Sequence, residues 1–296
     1  MELKKINGNT GVILAPTNIG VYTFKSKQCI IIDTGIGNTF ARRIESTLDE
    51  QGIKPKYIIN THHHSDHTGG NKYFKDNYPG VQVYTSETCK VFLENPHLGS
   101  VILYGGYPIK EVLGKPICTQ VDSVLQEGVI KINDEKFQIL ELKGHAEDGI
   151  GIVTPDRVCF LGDSLFSHDI LEKYSFPFLF NIDDTYKTLK KIKEIDADYF
   201  VLGHDKDVLD KEKFLKLIDS NEENLKNYEE QIIELLAQPA TKEDLLQNIS
   251  ILNDLPLNVK QYFLNMCTIS GFLAYLEEKE IIKCSLEEGK IYYYVG

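Results

Sequence analysis

Between positions 61 and 70 the chain reads THHHSDHTGG, which places His62, His63, His64, Asp66 and His67 within six consecutive residues. Imidazole nitrogen and carboxylate oxygen are the donors that zinc and similar borderline metals take three or four at a time. His62 and His64 lie two apart, so along extended backbone they point the same way. Asp66 and His67 follow at once and can face a second point nearby. One short loop cannot close two coordination shells, so further donors must come from elsewhere. Three other polar residues stand directly behind glycines at the ends of strand-like runs: His145 in LKGHAED, Asp163 in FLGDSLF and His204 in VLGHDKD. A glycine lets the backbone turn sharply as it leaves a strand, and loops at one end of a sheet are where α/β proteins gather reactive groups. A lone histidine of this kind is ordinarily a solvated surface group. The HxHxDH spacing behind an apolar strand is much harder to reach by chance.

The elements that must hold these groups are readable around them. Residues 11–34 carry the β-branched and aromatic enrichment of a pair of strands. Phe40, Ile44 and Leu48 recur at a helical period that stops near Gly52. KYIIN (56–60) is a short buried strand that delivers the histidine-rich loop at its C-terminal end, and a helix over 71–79 and a strand over 81–86 follow. This alternation marks a layered α/β domain. Residues 88–123, rich in Gly, Pro and Tyr, read as an irregular excursion with short helices. Two hairpins, turning at ND (133–134) and PDR (155–157), a helix over 185–195 and the strand YFVLG complete a first unit, residues 1–210. A second, residues 211–296, begins with a long charged amphipathic helix and ends in helices and a hairpin.

Bulk composition sets bounds. With 296 residues, 42% apolar and 26% charged, the chain is an ordinary globular sequence. No stretch approaches the roughly 18 apolar residues of a membrane helix, and the N-terminus has no apolar h-region. The six cysteines show no CxxC spacing and read as reduced core thiols of a cytoplasmic protein. A net charge of −12 disfavours a polyanionic partner.

THHHSDHTGG, GHAED, GDSLF and GHD, in that order, resemble the motifs of the metallo-β-lactamase superfamily over roughly residues 8–207. The resemblance implies a four-layered αββα sandwich with the site at one edge of its sheets. It implies that His62, His64 and His145 hold one metal, that Asp66, His67 and His204 hold a second, and that Asp163 bridges them. His63 takes the variable position of the motif and no ligand role. Two divalent ions, zinc foremost with iron and manganese as alternatives, would share one water and lower its pKa toward about 7. The implied activity is hydrolysis of an ester, thioester, lactone or phosphodiester by that hydroxide, with Asp66 orienting it. Asp33, in IIIDTG, is the candidate for fixing an imidazole from behind.

An intact Asp163 resembles the thioesterase (glyoxalase II-like), lactonase and phosphodiesterase branches rather than true β-lactamases. His64 argues against the flavodiiron branch, which carries glutamate there. A mononuclear iron persulfide dioxygenase shares these residues and stands as the alternative from another reaction class. Tyr104, Tyr107, His168, Tyr174 and Phe178 lie in irregular segments that could flank the site. The C-terminal helix and hairpin resemble a winged helix, a feature of an RNA-cleaving branch. Residues 211–296, however, hold nine lysines against fifteen acidic residues, and Glu277, Glu278 and Glu280 sit where phosphate would approach. A small-molecule substrate is therefore expected. Nucleic acid is disfavoured, a membrane partner is not expected, and the C-terminal unit is assigned to packing, homodimerisation or covering the site.

Overall fold

In the computed structural model, which describes every residue from Met1 to Gly296, the first half of the chain builds one seven-stranded sheet. Its strands are β1 (Leu3–Asn7), β2 (Thr10–Ile13), β3 (Ile19–Thr23), β4 (Gln28–Ile32), β5 (Lys54–Ile59), β6 (Gln82–Thr85) and β7 (Ser123–Val124), side by side in chain order. Pairing is antiparallel up to β4 and parallel from β4 to β7. Parallel neighbours need crossovers. These are α1 (Gly37–Glu50), then α2 (Ser65–Thr68) with α3 (Asn71–Asn77), then α4 (Glu87–Glu94), α5 (Leu98–Tyr104) and α6 (Lys110–Leu113). The stretch expected to be two strands over 11–34 is three. The break falls at Pro16–Asn18, where the Asn18 side chain accepts a hydrogen bond from the Ala15 N–H at 3.0 Å and turns the chain.

A second, six-stranded sheet has β8 (Gly128–Ile132), β9 (Glu135–Glu141), β10 (Ile150–Val153), β11 (Val158–Phe160), β12 (Tyr199–Val201) and β13 (Leu209–Asp210) in the reverse of chain order. The β8–β9 hairpin turns at Asn133 and Asp134, whose φ values of 50° and 67° suit the tight turn that ND foretold. Between β11 and β12, the one parallel pair here, run α7 (His168–Lys173) and α8 (Ile182–Lys193).

Alternation along the strands divides the core into layers. Ile30 and Ile32 of β4 join Val158 and Phe160 of β11 and Phe137 and Ile139 of β9 between the two sheets. The intervening Cys29 and Ile31 face outward onto Phe40, Ile44 and Leu48 of α1. On the far side, Cys159 and Phe200 pack against Leu189 and Ile192 of α8 and Phe214 of α9 (Lys211–Leu235). The result is the αββα sandwich that the motifs implied. The outer cluster continues into α10 (Lys242–Leu252), α11 (Val259–Glu278) and the hairpin β14 (Ile282–Glu287)–β15 (Lys290–Val295). Residues beyond 210 supply fifteen of its 31 members. The Asp210, Thr241 and Asn258 side chains cap α9, α10 and α11, and Thr241 with Asp244 makes a reciprocal capping box. All six cysteines are free thiols; Cys29, Cys89 and Cys159 are buried, whereas Cys118 and Cys284 are exposed and not core residues.

Candidate metal centre

Four loops, one from the first sheet and three from the second, converge at one end of the sandwich seam. His62, His64, Asp66 and His67 come from the loop and helical turn after β5, His145 from the β9–β10 loop, Asp163 from the loop after β11 and His204 from the loop after β12. His64 Nδ1 lies 3.0 Å from both His62 Nε2 and His145 Nε2. Asp163 Oδ2 is 3.6 Å from His145 Nε2, 3.9 Å from His62 Nε2 and 3.3 Å from His204 Nε2, while its Oδ1 is 3.3 Å from His67 Nε2. Asp66 Oδ2 sits 3.2 Å from His204 Nε2 and 3.8 Å from His67 Nε2. All seven residues expected from sequence are thus brought together. They fall into three donor sets able to hold an ion: His62/His64/His145, Asp66/His67/His204, and His62/His67/Asp163 between them.

Outer partners set the direction of the lone pairs. The Thr61 hydroxyl donates to Asp33 Oδ2 at 2.7 Å, so toward His62 Nδ1 at 3.1 Å it can only accept. His62 therefore carries its proton on Nδ1 and turns the Nε2 lone pair inward. His67 Nδ1 donates to the same Asp33 Oδ2 at 2.7 Å, His145 Nδ1 to the Phe178 carbonyl at 2.9 Å, and His204 Nδ1 to the Pro16 carbonyl. With the rings neutral, each of these imidazoles presents Nε2 to the centre. Asp33 plays the backing role expected of it. It is buried, held at φ 61°, and also accepts from the Thr61 N–H at 2.8 Å.

Charge is balanced within the cluster. Burial and neighbouring imidazoles hold His62 and His64 well below the ordinary imidazole pKa, and burial lowers His145. Burial also opposes charge on His67 and His204, but carboxylates outweigh it. Asp163 and Asp33 raise His67, and Asp163 and Asp66 push His204 up to about 10. Burial would raise Asp163 and Asp66, yet the imidazoles of His67 and His204 pull both below the usual carboxylate range. Two buried atoms, His67 Nε2 and Asp163 Oδ1, have no hydrogen-bond partner. Orphaned donors of this kind, facing one another among inward lone pairs, suit cations.

Two glycines make room for the cluster. Gly162 adopts φ +54° against Thr61, and a Cβ on Gly203 would lie 2.1 Å from Asp163 Oδ1 and 2.8 Å from His67 Cε1. The loop between β2 and β3 clamps the β12 loop, with the Asn18 side chain donating to the Leu202 and Asp205 carbonyls at 3.0 and 2.8 Å.

Of the residues expected to flank the site, Phe178 and Tyr174 line the cavities above it. Tyr104 instead packs on Phe263 at 5.0 Å, Tyr107 is 85% exposed, and neither they nor His168 border a cavity at the centre. His63, given no ligand role, points away from the donor sets. Its Nδ1 pairs with buried Asp148 at 2.8 Å and its ring stacks on Phe92. The carbonyls of Pro16 and Phe178 and the half-buried Leu264 carry no sequence signal, because any residue has a carbonyl and any helix has apolar positions.

The model of the Metallo-beta-lactamase superfamily matches residues 12–204. A hydroxyacylglutathione hydrolase of Vibrio vulnificus is 29% identical over 206 residues, covering 69% of this chain and 68% of that protein. Another of that name, from Prochlorococcus marinus, is 31% identical over 169 residues, covering 56% and 57%. Among solved structures, a metallo-beta-lactamase family protein of Thermus thermophilus superposes with TM-score 0.73 at 20% identity over 97% of both chains. A beta-lactamase domain protein of Burkholderia ambifaria gives 0.75 at 14% identity over 99% of this chain and 93% of that one. The architectural likeness therefore extends through the C-terminal helices.

Proposed function

The chain belongs to the metallo-beta-lactamase superfamily, and from that premise we propose that it is a metal-dependent hydrolase of small acyl esters or thioesters. His62, His64 and His145 would hold one divalent ion, zinc foremost; Asp66, His67 and His204 would hold a second; Asp163 lies between. The single observation that carries this reading is the inward convergence of donor atoms around the unpartnered His67 Nε2 and Asp163 Oδ1. Bound there, the ions would lower the pKa of a water toward about 7 and polarise a carbonyl oxygen. The chain's own residues do the rest. Thr61 and Asp33 hold His62 and His67 in the tautomers that face the centre, and the carbonyls of Phe178 and Pro16 do so for His145 and His204. Asp66, the most exposed of the site's carboxylates at 38%, is placed to orient an attacking water. Its lowered pKa makes it a poor proton acceptor.

The choice of esters and thioesters rests on the names of the relatives, which are hydroxyacylglutathione hydrolases. Residues 1–210 supply every candidate ligand, and we assign residues 211–296 to covering the site, since Lys260, Leu264 and Cys267 of α11 line the cavity above it. No helix is long and apolar enough to cross a membrane. The test is to assay metal-quantified protein against thioesters, esters, lactones and phosphodiesters. Turnover of thioesters or esters with about two ions per chain is expected. A single tightly held iron with oxygen consumption would overturn the reading.

A further inference from the structure

Two cavities meet over the candidate centre, with Asp66, His145, Phe178, Lys260 and Leu264 bordering both. The first, of about 440 Å³, is walled by Phe92, Ile102, Leu103, Val112, Phe178 and Leu264, and reaches His64. That is within the roughly 300–1,000 Å³ of small-ligand sites. The second reaches His204 and adds Lys173, Gln261, Asn258 and Lys206 to the shared Lys260, Lys206 being ion-paired to Asp169. A carbonyl held between the donor sets has one cavity open to each of its two substituents. In hydrolysis the leaving group departs with developing negative charge, which ammonium groups stabilise and an apolar wall does not.

We propose that the substrate carries an apolar, aliphatic acyl group, seated in the first cavity, with its leaving alcohol or thiol directed along the second. The proposal rests on the hydrolase reading above. The bond from the acyl carbon to the leaving oxygen or sulphur breaks and one from the acyl carbon to water oxygen forms. One water proton ends on the leaving group, and the other passes to solvent as the carboxylic acid ionises. The acyl wall comes largely from the irregular excursion between β6 and β7. α5 and α6 supply Ile102, Leu103 and Val112, α11 supplies Leu264 opposite, and the Tyr104–Phe263 ring contact ties α5 to α11. Ile102 is 51% exposed, an apolar side chain with no packing role in the core.

The test is binding of linear carboxylates, from acetate through hexanoate to decanoate, in competition with a polarity-sensitive fluorescent fatty acid on the full-length zinc-loaded chain. Affinity is expected to rise about fourfold per added methylene until the cavity is filled. Ile102→Asp, at a half-exposed position, should flatten that slope, and Leu264→Gln should do so from the opposite wall. Affinity independent of chain length, or a slope untouched by both variants, would overturn the proposal. Hydrolysis is scored separately. A clear slope without ester or thioester turnover removes the hydrolase reading and leaves the apolar occupant standing. Turnover without a slope does the reverse.

Discussion

Asp33 touches no candidate ion position, yet its single carboxylate sets two imidazoles, His67 directly and His62 through the Thr61 hydroxyl. Replacing it with alanine frees both rings to flip, and metal affinity should fall about 10- to 100-fold, read by chelator competition. Asp163 faces both donor sets, so Asp163→Ala should remove one ion per chain and most of the turnover, measured by metal analysis beside kinetics. Retained stoichiometry and rate in that variant would falsify the shared role. Protonation supplies a third expectation. His204 is raised to about 10 by Asp163 and Asp66, so at neutral pH an imidazolium occupies a ligand position of the metal-free chain. Uptake of an ion must expel that proton. Apparent affinity should therefore climb with pH, about tenfold per unit for each proton displaced, until the raised pKa is passed. Calorimetry in buffers of different ionisation enthalpy counts the protons; uptake without release would contradict the assignment.

At the level of elements, what could be read in advance depended on whether a group's signal was local. His62 to His67 are contiguous and follow an apolar strand, and His145, Asp163 and His204 each follow a glycine at a strand end, so all seven were visible together. Gly203 explains why the last of these signals works. A methyl group there would collide with Asp163 and His67, so Gly203→Ala should lower metal content while far-ultraviolet circular dichroism stays native. The break at Pro16–Asn18 was missed because the strands on either side share one apolar composition, and only the Asn18 side chain separates them. The cavity wall was missed for a deeper reason. Ile102, Leu103 and Val112 sit on short helices whose apolar residues look like any core face, and their partner Leu264 lies far along the chain on α11. Tyr107 misled because aromatic side chains in loops so often line clefts, whereas this one extends into solvent.

Across the whole molecule, the C-terminal helices belong to the same apolar layer as the second sheet. Phe214 stacks on Phe200 with centroids 3.7 Å apart and planes 7° from parallel, both rings fully buried. Phe214→Ala should cost about 3–5 kcal/mol, seen as a lower midpoint in denaturant. Ending the chain at residue 210 strips fifteen members from the 31-residue cluster, so that fragment should be insoluble, whereas the intact chain should melt in one transition. Calorimetry and expression of the shortened chain decide this.

The seam location of the donor cluster carries one more consequence. The first sheet contributes His62, His64, Asp66 and His67, and the second contributes His145, Asp163 and His204, so an ion held by either donor set would rivet one half of the sandwich to the other. Occupancy is then a mechanical fastening as well as a chemical one, and it favours the folded chain by mass action. A chelator added to the loaded protein should behave as a mild denaturant, lowering the melting temperature in proportion to the fasteners it withdraws.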